Sequence, residues 1–198
     1  MTAIPGEVVV LLGPDGAAAG TAPKASVHQA STPLHLAFSC YLFDADDRLL
    51  MTRRALGKRT FPGVWTNTVC GHPAPGESAE QAAVRRVRDE LGLDVDPPRL
   101  VLPEFRYRAT MAGVEEHEWC PVLVGRLDAA ADPAPDPGEV AEFRWMAWTD
   151  LVDLVDRTPG AISPWSVAQV RALTALGARP DDWPSGDPRS LPEALQAP

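Results

Sequence analysis

Residues 65–93 constrain the fold and the chemistry of this chain more than any other stretch. The stretch opens with an apolar, extended segment that carries Cys70 and His72, two residues apart. A turn rich in glycine and proline follows, and a helical pattern begins directly after it. A thiol and an imidazole are thereby placed at the corner between a strand and a helix, where side chains that carry function are often found.

The helix of this stretch has clear start and stop signals. Ser78 and Gln81 have the spacing of a capping box, and Gly92 suits the left-handed residue that ends a helix. Glu90 falls at the edge of the predicted buried face, so we expect a half-buried carboxylate there. The apolar residues at helical spacing that define this face are Val84, Val87 and Leu91.

Length and composition are those of one globular domain. The chain has 198 residues, 45% of them hydrophobic, which is enough for one core. Its net charge of −9 argues against a nucleic-acid partner, although residues 53–59 form a local basic cluster. Three cysteines at unrelated spacings favour a reducing compartment. The apolar residues 8–12 are too few for a signal peptide or a membrane span, so we expect a cytoplasmic protein without a membrane partner.

The order of the predicted elements indicates an α+β fold, in which helices pack on a mixed β-sheet within a single compact domain. Hydrophobic patterns and turn residues locate these elements. We expect strands near residues 8–12, 34–43, 48–54, 104–110, 116–127 and 140–148, and helices near 79–91, 149–155 and 164–176.

Two segments are predicted to lack regular structure. Residues 128–138 form an acidic, proline-rich loop. From residue 177 onward, repeated Pro, Gly and Asp leave little to bury, so residues 177–198 are predicted to be a loose C-terminal tail. The folded domain is accordingly expected at residues 1–176.

Imidazoles and carboxylates in the first two thirds of the chain could together bind a divalent ion. Glu116 and Glu118 lie two apart on a predicted strand and therefore share a face. The candidate imidazoles are His28, His35 and His72, and such a mixed set suits roughly octahedral coordination. Spacing alone does not distinguish this site from ordinary surface residues.

The segment from Gly71 to Leu93 resembles a Nudix box, with Glu77 in place and the run RRVRDELGL at its end. In that family, helix carboxylates hold divalent metal against a diphosphate. The family's usual Arg-Glu pair is Arg85-Arg86 here. The second arginine removes a carboxylate that hydrolysis would need and adds a guanidinium that can bind a diphosphate directly. The motif therefore predicts diphosphate binding and weakens the case for hydrolysis.

Longer segments extend the resemblance: PLHLAFSCYLF, TRRALGKRTFPGVWTNTVCGHP, FRYRAT, EHEWCPV and SPW, in this order. Over about residues 6–175 they resemble the type I isopentenyl-diphosphate isomerases, a Nudix-fold branch. These enzymes interconvert isopentenyl and dimethylallyl diphosphate in isoprenoid precursor biosynthesis. The resemblance implies a Nudix-like isomerase domain and a small isoprenoid diphosphate as substrate.

The resemblance also implies roles for particular residues. Cys70 and Glu118 match the family's acid/base pair, and Tyr107 matches the tyrosine that hydrogen-bonds to that glutamate. The matches to the metal ligands are His28, His35, His72, Glu116 and Glu118, with Glu90 matching the ligand of a second Mg²⁺ that arrives with the diphosphate. The matches to the substrate-binding side chains are Lys24, Arg54, Lys58 and Arg86 at the diphosphate and Trp165 over the isoprenoid carbons.

The chemistry of alkene isomerisation agrees with these roles. One proton is added at one carbon and another is removed two carbons away, so an acid and a base must flank the substrate. Cys70 and Glu118 come from different segments and can do so. Trp165 and Trp65 could stabilise a carbocation-like species through cation–π interactions. Metal and basic side chains nearby are expected to lower the pKa of the thiol.

Two other functions compete with this interpretation. One is a Nudix hydrolase that cleaves a nucleoside or prenyl diphosphate. The other is a non-catalytic module with structural Zn²⁺ held by Cys70, His72, Glu118 and Cys120. Within the isomerase interpretation, Mn²⁺, Mg²⁺ and Zn²⁺ all remain candidates for the histidine site. The sequence leaves the oligomeric state open.

Overall fold

A computed structural model of the protein describes residues 7–128 and 131–196. Its strands are β1 (Val8–Leu12), β2 (Ala18–Pro23), β3 (His35–Leu36), β4 (Phe38–Phe43), β5 (Arg48–Arg54), β6 (Trp65–Thr66), β7 (Val69–Gly71), β8 (Arg99–Leu102), β9 (Arg106–Met111), β10 (Val114–Trp119), β11 (Val122–Arg126) and β12 (Val140–Ala147).

The helices are α1 (Lys24–Val27), α2 (Ala79–Leu91), α3 (Trp148–Arg157) and α4 (Pro164–Leu176). Short 3-10 turns lie at Pro159–Ala161, Pro180–Asp182, Pro188–Ser190 and Glu193–Leu195. Within the described ranges, every helix is too short or too polar to cross a bilayer.

The strands form two mixed sheets rather than the single sheet that the sequence predicts. The first sheet has the order β2-β1-β3-β10-β9, and the second has the order β12-β5-β4-β11-β8, with β6 paired to β5 and β7 to β4. The pairs β3–β10 and β4–β11 are parallel and the remaining pairs are antiparallel. The α+β class with a mixed sheet and packed helices is confirmed.

Two predicted strands each divide into two because the chain passes from one sheet to the other. The run 34–43 divides at Ala37 into β3 and β4, and the run 116–127 divides at Cys120-Pro121 into β10 and β11. Pro121 has no N–H to donate to a ladder, so a strand cannot continue through it unchanged. The two segments stay hydrogen-bonded to each other where they pass between the sheets, because the Ala37 N–H donates to the Trp119 carbonyl at 2.9 Å. Each of the two segments thereby contributes one strand to each sheet.

Helix α2 begins and ends where the sequence predicts. The Ser78 side chain accepts from the Gln81 N–H, the Gln81 side chain accepts from the Ser78 N–H, and Gly92 is left-handed with φ 65°. The buried face differs from the predicted one, because Arg86 and Glu90 are buried with Val87 and Leu91, whereas Val84 is only half-buried. Two charged side chains on this face must therefore be paired.

The C-terminal segment packs on the core, so the prediction of a loose tail at residues 177–198 is wrong for residues 177–196. Trp183 is 3% exposed, and its ring lies 5.0 Å from that of Trp148 and 5.9 Å from that of Phe43. Composition misleads here because a few widely spaced apolar side chains are enough to anchor the segment.

Backbone hydrogen bonds hold the same segment against both sheets. The Ala194 N–H donates to the Gly16 carbonyl at 3.1 Å, and the Gly186 N–H donates to the Leu100 carbonyl at 2.9 Å. Residues 197 and 198 of the predicted tail, residues 1–6 of the predicted domain and residues 129 and 130 of the predicted loop lie outside the described residues. Residues 131–138 of that loop have no helix or strand, as predicted.

Candidate active site

A cavity of about 480 Å³ is lined by residues from both sheets, from the starts of α1 and α4 and from the middle of α2. Of the residues that the family resemblance implies for the site, all but His35 and Glu90 line it; the eleven that do are Lys24, His28, Arg54, Lys58, Cys70, His72, Arg86, Tyr107, Glu116, Glu118 and Trp165. The segments that meet here are far apart in the sequence, and the two sheets bring them together.

Three imidazoles and one carboxylate form a compact group at one end of the cavity. Ligand atoms from His28, His35, His72 and Glu118 all lie within 4.8 Å of one another. The group could hold a metal ion, and two details of the histidines fit one. The His35 Nδ1–H donates to the Pro33 carbonyl at 2.9 Å, the type of contact that orients a metal-binding imidazole. His28 Nε2 and His72 Nδ1 are buried without hydrogen-bond partners among the described residues.

Electrostatics at His28 and His72 favour metal binding, whereas at His35 burial is outweighed by the contact with Glu118, which raises the pKa of the ring. Burial lowers the pKa of His28 to about 3 and that of His72 to about 4, so both rings are neutral near pH 7 and keep a free lone pair. Burial works against charge on Glu118 as well, but its contacts with His35 and His72, at 3.4 and 3.3 Å, hold the pKa of this carboxyl well below its usual range. Two neutral imidazoles therefore face an ionised carboxylate.

Glu116 differs from the prediction, because its carboxylate is not a member of this group. Tyr107 donates to Glu116 Oε2 at 2.5 Å, and not to Glu118 as the resemblance implied. Burial and the charge of Glu118 raise the pKa of Glu116. Both glutamates lie on the predicted shared face of β10, so spacing could not decide which of them the tyrosine binds.

Cys70 lies on β7 and is hydrogen-bonded on both sides. Its Sγ donates to Asn67 Oδ1 at 3.2 Å and lies 3.4 Å from Ser39 Oγ. Burial raises the pKa of the Cys70 thiol to about 12, whereas the sequence predicted a lowered pKa. The prediction counted the basic residues and a metal but not the burial of the sulfur. The thiol is therefore protonated in this structure.

Trp165 supplies the aromatic wall of the cavity. Its ring lies 5.0 Å from that of Phe61 and 5.5 Å from that of Tyr107, and the Arg54 guanidinium stands 5.8 Å from its centre. Trp65, the second aromatic predicted for this role, does not line the cavity, and the Arg144 guanidinium covers it at 4.2 Å.

Basic side chains form the other end of the cavity, and carboxylates contact three of the four, Arg54 being bonded to Thr60 instead. Lys24 Nζ contacts Glu7 at 2.8 Å, and Arg86 Nη2 contacts Glu90 at 2.6 Å. Lys58 contacts Glu139, which also lies 3.3 Å from Arg86. Two of these carboxylate partners, Glu7 and Glu139, were not predicted from the sequence. Nothing in their spacing indicated a role, because their partners lie on distant segments.

Gly71 explains how Arg86 reaches the cavity. A Cβ at Gly71 would lie 3.0 Å from the Arg86 side chain and 3.1 Å from the Phe38 ring. The glycine of the Nudix-like box thus lets α2 approach β7 closely. Arg86 is 5% exposed and lies between this strand and the carboxylates.

The competing zinc module is not supported by the geometry. Neither Cys70 nor Cys120 belongs to the histidine group, and Cys120 Sγ lies 3.4 Å from the Ser39 hydroxyl instead. All three cysteines are free.

Similarity to known proteins agrees with this fold and identifies the family. The NUDIX domain family model matches residues 33–166, which defines the class of the protein. The isopentenyl-diphosphate Delta-isomerase of Mycolicibacterium vanbaalenii is 57% identical over 172 residues, 86% of this chain and 93% of the relative. The protein of the same name from Leifsonia xyli is 56% identical over 185 residues, 92% of this chain and 97% of the relative. The chain therefore belongs to the Nudix superfamily and, within it, to the isopentenyl-diphosphate Delta-isomerase family.

Solved structures agree on the fold alone. The crystal structure of a protein from Deinococcus radiodurans superposes with a TM-score of 0.62 at 20% identity, covering 84% of this chain and 98% of that chain.

Proposed function

We propose that this chain isomerises isopentenyl diphosphate to dimethylallyl diphosphate and back, using Cys70 and Glu118 as its acid and base. The observation that carries the proposal is their position: a protonated thiol and an ionised carboxylate, from different sheets, line one cavity with an aromatic wall. The relatives named isopentenyl-diphosphate Delta-isomerase, more than 50% identical over most of the chain, support the reaction.

The reaction needs one proton delivered and one removed. The substrate's terminal alkene receives a proton at one end, and a proton leaves the carbon two positions away, so atoms and charge balance. A thiol with a raised pKa keeps its proton at neutral pH and is suited to exchange it with carbon only inside a dry cavity. The Glu118 carboxylate has its pKa held low and is suited to accept a proton.

Charge on the carbon chain would be stabilised by the aromatic wall. Trp165 is 1% exposed, so a cation beside its ring is shielded from water, where cation–π attraction is strongest. Tyr107 packs on this ring and keeps Glu116 in place through its hydroxyl.

The basic end binds the diphosphate. Lys24, Lys58 and Arg86 line the cavity together with Arg54, and guanidinium and ammonium groups bind phosphate oxygens strongly. Their present carboxylate partners can be exchanged for the diphosphate or for a metal that accompanies it. Binding energy from this charged end holds the five-carbon chain in register with the acid and the base.

The metal-binding role belongs to His28, His35, His72 and Glu118. A divalent ion bound there would neutralise the carboxylate and increase the acidity of groups attached to it. Glu116 would join these ligands only by giving up its hydrogen bond with Tyr107. We propose Glu90 as the residue that receives a second Mg²⁺ with the diphosphate, because it is buried next to the basic end. The cytoplasmic location stays a prediction, and Mn²⁺, Mg²⁺ and Zn²⁺ stay candidates for the first ion.

A proton-exchange assay tests the proposal. Purified protein is incubated with isopentenyl diphosphate in heavy water, with added Mg²⁺ or Mn²⁺ and, separately, with a chelator. We expect deuterium in dimethylallyl diphosphate in the metal-containing samples alone. Release of phosphate or diphosphate without isomer formation would instead identify a hydrolase.

A further inference from the structure

We propose that Asn67 is a positioning residue for this reaction, whose side-chain oxygen fixes the Cys70 thiol and the Trp165 indole relative to each other. The inference rests on the proposed function, since it assumes that both neighbours act on the substrate. Asn67 is 1% exposed and does not line the cavity, so any effect on the reaction must pass through residues that do.

One oxygen atom connects two parts of the site that are far apart in sequence. The Cys70 thiol donates to Asn67 Oδ1 at 3.2 Å, and the Trp165 Nε1–H donates to the same oxygen at 3.2 Å. The first donor lies on β7 and the second at the start of α4. The amide therefore joins the proposed acid to the proposed aromatic wall.

The orientation of this amide is determined by its own donors. Asn67 Nδ2 donates to the carbonyl oxygens of Cys40 at 3.0 Å and Val69 at 2.8 Å. Carbonyl oxygens only accept hydrogen bonds, so the NH₂ group must face them and the oxygen must face the site. A rotated amide would lose both of these hydrogen bonds and would turn its NH₂ group towards the indole N–H, which is itself a donor.

The indole depends on this contact more than the other donors do. Among the described residues, Asn67 Oδ1 is the one acceptor within hydrogen-bond distance of Trp165 Nε1. The hydroxyls of Thr66 and Ser166 also approach the oxygen, at 2.9 and 3.2 Å, but they lie 3.1 Å from each other and can bond together. Loss of the amide would thus release the tryptophan ring.

Such a release should affect the chemical step and spare diphosphate binding. The acid and the stabilising ring would no longer keep a fixed separation across the carbon chain, and small misplacements of reacting groups slow catalysis strongly. Lys24, Lys58 and Arg86 belong to other segments and contact Glu7, Glu139 and Glu90, none of which touches the amide. Arg54 stands 5.8 Å from the Trp165 ring, but the carbonyl and hydroxyl of Thr60 hold its guanidinium independently of the amide.

The test compares Asn67→Ala and Asn67→Ser with Thr68→Val. Thr68 is a matched control because it is fully buried in the same turn, donates to the Leu50 carbonyl at 2.7 Å and does not line the cavity. Three quantities are measured for each folded protein: kcat and KM for isopentenyl diphosphate, the affinity for inorganic pyrophosphate with Mg²⁺, and the NMR signal of the Trp165 indole N–H. That signal is assigned by its absence in Trp165→Phe.

We expect kcat of both Asn67 variants to fall by about 100-fold, the size of effect that misplaced reacting groups produce. Pyrophosphate affinity should stay close to that of the wild type. The indole signal should move upfield, because its proton loses the acceptor. Thr68→Val should lower the melting temperature but keep kcat and the indole signal. Asn67→Ser serves if Asn67→Ala does not fold, since it retains a small polar group in the turn.

Two outcomes would overturn the inference. One is a folded Asn67 variant with near-normal kcat. The other is a parallel loss of kcat, pyrophosphate affinity and stability that Thr68→Val reproduces, which would make the role of Asn67 purely structural. A wild-type protein without isomerase activity would overturn the proposed function itself, and the two failures are therefore distinguishable.

Discussion

At the basic end of the cavity, Lys24, Lys58 and Arg86 each contact a carboxylate, whereas at the histidine end three ring nitrogens, one from each histidine, are buried without hydrogen-bond partners among the described residues. Three of the four basic side chains are thus already paired, whereas Arg54 bonds to the carbonyl and hydroxyl of Thr60 and contacts no carboxylate among the described residues. An anion can therefore reach Arg54 directly, but it reaches the other three only by replacing a carboxylate or by bringing a cation with it. The histidine end has free lone pairs next to the ionised Glu118, so it gains stability from a cation alone. The same cavity thus accepts opposite charges at its two ends.

Substitution of the two proposed proton-transferring groups should have the largest effect on turnover. Cys70→Ala and Glu118→Gln are each expected to abolish isomerisation while the fold survives, because each removes one of the two proton-transferring groups. Steady-state turnover and far-UV circular dichroism measure this. Cys40→Ala is the control, since Cys40 is fully buried and does not line the cavity. Near-normal turnover in either site variant would contradict the assignment.

Removal of the metal ion from the histidine end should have the next largest effect. At free metal about 100-fold above its Kd, chelation is expected to lower the melting temperature by about 5–10 °C and to stop turnover. The shift should vanish in His35→Ala and persist in His117→Ala, because His117 lies outside the metal-binding group. A wild-type protein indifferent to chelation would show that the unpaired ring nitrogens are not a metal site.

Charge reversal at the basic end should have a smaller effect. Arg86→Glu is expected to weaken binding of inorganic pyrophosphate by about 10- to 100-fold, the equivalent of one charge-assisted hydrogen bond. Calorimetric titration measures this, and Arg88→Glu is the control, since Arg88 is exposed and pairs with Asp94. Unchanged affinity in Arg86→Glu would remove this residue from the phosphate site.

Glu139→Gln should have the smallest effect of these substitutions, and it tests how the contact between Lys58 and Glu139 influences substrate binding. Burial and the charge of Arg54 lower the pKa of Lys58, and the charges of Glu90 and Glu139 oppose them. Removing the nearer acid should make Lys58 a weaker cation and raise KM by about 3- to 10-fold with little change in kcat. Glu142→Gln, on the exposed face of β12, is the control. A lowered KM would mean that Glu139 competes with the diphosphate more than it holds Lys58.

The sequence predicts those parts of the structure whose signals are local. Helix α2 is predicted to within a residue because Ser78, Gln81 and Gly92 act on their own neighbours. The members of the cavity are predicted through the family resemblance. The division of residues 34–43 and 116–127 between two sheets is not predicted, since an apolar run has the same sequence pattern whether it stays in one sheet or passes to another.

Contacts between distant segments are the part that the sequence does not predict. Glu139 meets Lys58 across 81 positions, and nothing in the acidic loop before it indicates a partner. Tyr107 donates to Glu116 rather than to Glu118, and residue spacing cannot distinguish the two because both lie on the same face of β10. Burial of the Cys70 sulfur raises its pKa, which a count of nearby charges cannot reveal.

The packing of residues 183–195 has a consequence for the order in which the protein is made. Ala194 and Leu195 cover the cluster built by Val10, Leu12, Leu36 and Trp119, and the Ala194 N–H bonds to Gly16. During translation the first hairpin therefore stays uncovered until this late segment has left the ribosome. Until then the nascent chain exposes an apolar surface to the cell, and a stop codon ahead of Trp183 would leave it exposed permanently.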